Sequence, residues 1–218
     1  QGVSAGKTGH LRAGARILTS DEARSRTDDW EILQEACRGA GTHLSVFWNG
    51  PLPVVGEEAS GTSLQAVEDL LGRGVDLHIS DRKHARDAGS LAGLAAAARR
   101  GKGFFVFYHI GPLVAELVEP AKCRAWVHFS DAGIVDEPAA LLVVEIAQAA
   151  AGSGSRAAVH IERGLPLELL EKLWTAGAAL IFLTPPSDDR SLLRPLERKA
   201  ARRKLPARAF HLSTAFLP

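Results

Sequence analysis

The feature that most constrains this chain is a regular alternation. Short apolar runs are separated by stretches of helical periodicity along most of its length. The candidate strands are ARILTS (15–20), HLSVFW (43–48), VDLHIS (75–80), GFFVFYHI (103–110), RAWVHFS (124–130), AAVHIE (157–162), AALIFLT (178–184) and ARAFHLS (207–213). Runs of this length, rich in β-branched and aromatic residues and several bounded by Gly or Pro, read as strands. Several are apolar on both faces, as in a sheet covered on each side.

Helical patterns fill the gaps, beginning with WEILQEACRGAG. SLQAVEDLLGRG sets Leu64, Val67, Leu70 and Leu71 on one face. SLAGLAAAARRG closes with Arg99, Arg100 and Gly101, cations and a glycine suited to a helix C-terminus. EPAALLVVEIAQAAAG opens with acid and proline and closes at Gly152. PLELLEKLWTAG and SLLRPLERKAARRKL supply the last two. About eight strands and seven helices in repeated β-α order predict an α/β fold with a mostly parallel sheet.

Two architectures fit. An open doubly wound sheet of seven to eight strands is preferred over a small (βα)8-like barrel. Barrels run to ~250 residues and finish on a helix, whereas this chain has 218 residues and ends on the apolar AFHLSTAFLP. Residues 1–14 read as a flexible N-terminal arm and 15–218 as a single α/β domain. That length buries a substantial core without disulfides or metal staples.

Apolar residues make up 46% and charged residues 23%, as in a soluble globular chain. No apolar run reaches the ~18 residues that would span a bilayer, and the first residues lack the apolar core of a signal peptide. A cytoplasmic protein with no membrane span is expected. Cys37 and Cys123 have no second ligand at metal spacing and read as buried free thiols, with a disulfide the less favoured alternative.

Five of the eight histidines sit near the ends of apolar runs: His78, His109, His128, His160 and His211. Strand alternation puts His78 on one face with Asp76 and Ser80, His128 with Trp126 and Ser130, and His160 with Ala158 and Glu162. The step from His78 to His128 is 50 residues, and HISD and HFSD are weakly alike, which suggests an internal repeat or units of regular length. Ligands of parallel α/β folds bind beyond the carboxyl ends of the strands. His78, His128, His160, Asp81 and Asp131 are therefore the catalytic candidates. His78, His128, His160 and Glu162 are the candidate ligands for a divalent metal that would activate water. Against this stands a structural role, rings buried under helices with their nitrogens bonded to backbone.

Other motifs are partial. GVSAGKT (2–8) lacks the first glycine of a phosphate-binding loop and has no strand before it. VDLHIS resembles the DLHxH opening of the PHP phosphoesterases, with Ser80 in place of the second histidine. LLGRGVDLHIS resembles a unit of phospholipase D-like effector domains, whose HxK signature is absent. SDRKHARD (80–87) follows a strand and offers Arg82, Lys83 and His84 to a phosphate or carboxylate; Asp188, in TPPSDDR, belongs to another such loop. RSLLRPLERKAARRKLPAR holds eight Lys or Arg and one Glu. It reads as a solvated helix face or, less favoured, a surface for nucleic acid.

The expected function is a non-catalytic α/β module that binds a small anionic ligand or a protein partner at the C-terminal strand edge. The first alternative is a His/Asp-dependent hydrolase, with or without a metal to assist it, acting on a phosphorylated or carboxylated small molecule. The second is a nucleic-acid-associated protein using the basic C-terminal helix.

Overall fold

A computed structural model describes residues 16–20, 27–52, 64–182 and 210–211. The arm at 1–14, Asp188 with its loop, and the basic stretch near the C-terminus lie outside these residues.

Strands and helices alternate as the sequence predicts. The strands are β1 (Arg16–Ser20), β2 (His43–Trp48), β3 (Asp76–Ser80), β4 (Phe105–His109), β5 (Trp126–Ser130), β6 (Ala157–Ile161), β7 (Ala179–Phe182) and β8 (Phe210–His211). The helices are α1 (Thr27–Gly39), α2 (Leu64–Gly72), α3 (Ala88–Gly101), α4 (Val118–Lys122), α5 (Glu137–Ser153) and α6 (Leu167–Thr175). All pairings are parallel. Six strands, β2–β7, form the part of the sheet with described side chains, rather than the seven to eight expected. The short backbone ladders of β1 and β8 extend the order to eight.

Local chemistry sets the helix ends. Asp87 caps α3, its carboxylate accepting the Ser90 N–H at 2.7 Å. Asp136 caps α5 in the same way through Ala139. Gly154 then ends α5 in the left-handed region, at φ 83°. Gly101, closing α3, lies so near α2 that an added Cβ would stand 1.9 Å from the Leu71 carbonyl oxygen. Only glycine permits that approach.

The winding departs from the doubly wound expectation. Each strand pairs with its neighbours in chain order, β1 to β8 without reversal. A doubly wound sheet reverses direction and places helices on both faces. Here successive helices pack on one another, α1 on α2 through to α5 on α6, in a single layer. This is the winding of a (βα)8 barrel, in a sheet whose described order is open between β1 and β8. Leu77, Ile79, Phe105, Phe107, Val127, Phe129 and Val159 face that layer and are almost fully buried. They meet Leu91, Leu94, Val143, Ile146, Leu170 and Leu173 in one core.

The other face explains the departure. No described helix covers it, yet Ser45, Asp76, Val106, Ala158 and Ile181 are buried there. In these strands the second face is thus buried without a described helix over it. Such strands read as apolar on both sides, just as strands between two helical layers do.

Among the described residues no helix is long and apolar enough to cross a membrane. Cys37 and Cys123 are free thiols; Cys37 is buried, and burial raises its pKa.

Candidate functional site: a row of rings on the helix-free face

Register decides which rings meet. Phe47 pairs with His78, and Tyr108 pairs with His128. Tyr108 lies two residues beyond Val106, the partner of His78, and His160 lies two beyond Ala158, the partner of His128. All five side chains therefore point to the helix-free face. They form a continuous row with ring centroids 4.5 Å (Phe47–His78), 6.1 Å (His78–Tyr108), 4.7 Å (Tyr108–His128) and 5.1 Å (His128–His160) apart. The row climbs four residues over four strand steps, one residue per strand.

Two hydrogen bonds run along the row. His78 Nδ1 lies 3.2 Å from the Tyr108 hydroxyl. His128 Nδ1 lies 2.9 Å from His160 Nε2, so one of these two imidazoles donates to the other. Burial, then the proximity of His160 and His78, lowers the His128 pKa to about 3. Burial also lowers that of His160. Both rings of this dyad are neutral at pH 7.

The carboxylates expected beside these rings face elsewhere. Asp81 holds the end of β4. Its Oδ1 accepts the Ile110 N–H at 2.8 Å, and its Oδ2 lies 2.5 Å from His109 Nδ1. His109 points to the helix side, opposite Tyr108, and its Nε2–H donates to the Pro112 carbonyl at 2.8 Å. Burial pulls the His109 pKa down, but the Asp81 hydrogen bond and charge, with help from the Pro112 and Gly111 backbone, leave it raised overall. Asp131 holds the end of β6. Its Oδ2 accepts the backbone N–H groups of Glu162, Arg163 and Gly164 at 3.1, 2.8 and 3.0 Å. Its buried Oδ1 has no hydrogen-bond partner among the described residues.

The candidates thus separate. His78, His128 and His160 come together on one face. Asp81 and Asp131 stand at the strand ends as clamps, and Glu162 is exposed past β6. Among the described residues no group of three or more His, Cys, Asp or Glu side chains stands where it could hold a metal ion. His128 and His160 turn nitrogens toward each other, and the carboxylates bind backbone. Arg82 and Lys83 are exposed and His84 half-buried in the loop after β3, where the Arg82 N–H donates to Ser80 Oγ. His211 is placed by its backbone pairing with Phe182.

Tyr108 is the residue that the sequence reading missed. It is the only tyrosine in the chain, and alternation within FFVFYHI puts it on the face opposite His109.

No protein-family model matches this chain, and no curated protein matches it in sequence.

Proposed function

We propose that this chain is a non-catalytic α/β module that binds a small anionic ligand at the C-terminal strand edge, over the ring row. One observation carries the reading. The row offers imidazole and phenol groups, while Asp81 and Asp131, which would repel an anion, are turned into backbone clamps. Neutral N–H and O–H donors bind oxyanions at low desolvation cost, and guanidinium or ammonium groups at the rim add charge. Arg82 and Lys83 supply that charge.

The test is a titration of the protein with inorganic phosphate, followed through the side-chain NMR signals of Tyr108 and His160. Saturable shifts are expected, weakened at least several-fold by Arg82→Ala with Lys83→Ala. Shifts that do not saturate, or that are confined to exposed groups, refute the reading.

A second reading, a His-dependent hydrolase, draws on the His128–His160 dyad alone. A neutral imidazole oriented by another can serve as a general base. It requires turnover of a phosphate or carboxylate ester that His128→Ala abolishes in a folded protein.

A further inference from the structure

The His78–Tyr108 and His128–His160 dyads are one arrangement made twice. Each histidine is the third residue of its five-residue strand. Each is followed by a serine and an aspartate, Ser80–Asp81 and Ser130–Asp131. In both copies the serine hydroxyl accepts the N–H two residues on, from Arg82 and from Ala132. In both, the aspartate clamps the end of the next strand. The partner ring lies two residues beyond the register partner in each case. At the matching positions β1 carries Leu18 and β7 carries Ile181, so the dyad occurs in the two central strand pairs.

The chemistry repeats as well. With His78 Nδ1–H donating to the Tyr108 oxygen, the phenolic O–H is left to donate outward. With His128 Nδ1–H donating to His160 Nε2, the Nδ1–H of His160 is left in the same role. Each dyad then ends in one neutral donor, polarised by the histidine behind it.

We propose, building on the anion-binding reading above, that the dyads are two like subsites and that the ligand carries two like oxyanion groups, one for each. Tyr108 and His160 are two strand steps apart and offset by two residues along the strand. With ~4.8 Å between strands and ~3.3 Å per residue, their backbone positions lie about 12 Å apart. A linear bisphosphate or dicarboxylate whose ends span up to this distance fits. A single small anion fills one subsite only.

Calorimetric titration of the full chain tests this. The probes are inorganic phosphate and two series of increasing chain length, α,ω-alkane bisphosphates and α,ω-dicarboxylates. Two phosphates per chain are expected. Tyr108→Phe and His160→Phe should each remove one and spare the other, since phenylalanine keeps the ring and loses the donor. A linked bis-anion should bind once per chain, with an optimum length, at least about tenfold more tightly than phosphate. The series that shows the optimum identifies the end groups. One phosphate per chain with no gain from linking overturns the two-subsite proposal and leaves the anion-binding reading standing. No binding of any probe overturns both. Were a variant to unfold, the length dependence of the unaltered protein would still decide.

Discussion

His109 and His128 sit on adjacent strands and live in opposite chemistry. His109 turns toward the helices, between the Asp81 carboxylate and the Pro112 carbonyl, and holds its proton more tightly than a free imidazole. His128 turns to the helix-free face, against other rings, and releases its proton down to about pH 3. One residue of strand alternation separates a ring bonded to a carboxylate from a ring packed among other rings. Histidine at a strand end therefore has no single meaning: the face that it takes determines its partners, and its partners determine its charge.

If the clamps hold structure and the rings serve binding, the variants should rank accordingly. Asp131→Ala should have the largest effect, because it strands three N–H donors at the end of β6. A loss of about 3 kcal/mol in urea unfolding is expected; a loss below about 1 kcal/mol would remove the distinction. Asp81→Asn or His109→Gln should cost about 2 kcal/mol near pH 6. That cost should shrink at high pH, because a raised histidine pKa stabilises the fold below its ordinary value and the gain vanishes as pH rises through the folded value.

The ring dyad should respond to acid with the opposite sign. Its lowered pKa leaves the fold unpenalised above the ordinary histidine value near 6.5. Below it, the unfolded chain takes up a proton that His128 in the folded state refuses until about pH 3. Stability should fall across that window by up to about 1.4 kcal/mol per pH unit for each such proton. His128→Phe should flatten this acid limb in chemical unfolding, and an unchanged limb would show that other groups cause it. The smallest effect belongs to Tyr108→Phe, under about 1 kcal/mol in melting, together with the loss of one of the two bound phosphates.

Much of the fold was legible because alternation is a local signal. Six of the apolar runs became β2–β7, short backbone ladders stand at the other two, and α3 and α5 lie where the sequence puts helices, α5 running past the expected Gly152 to Gly154. The winding was not legible. Val106, Ala158 and Ile181 would be apolar under a second helical layer or inside a coiled sheet, and only strand order distinguishes the two. Alternation set His78, His128 and His160 each on a face of its own strand, and register brought them onto one face. Tyr108 and the clamping roles of Asp81 and Asp131 depend on register between strands some 30 residues apart in the chain. The HxSD pair, at a spacing of 50 residues, was the trace of that register in the sequence.

The most direct test of the central claim is a pH titration of the histidine side-chain ¹⁵N signals by NMR. The account predicts that His109 stays protonated above the ordinary imidazole value. It predicts that His128 stays neutral down to about pH 3 and that His160 too titrates below the ordinary value, each neutral ring with one protonated and one bare nitrogen. Should His128 and His109 titrate together near 6.5, the two environments would be alike and the account contradicted.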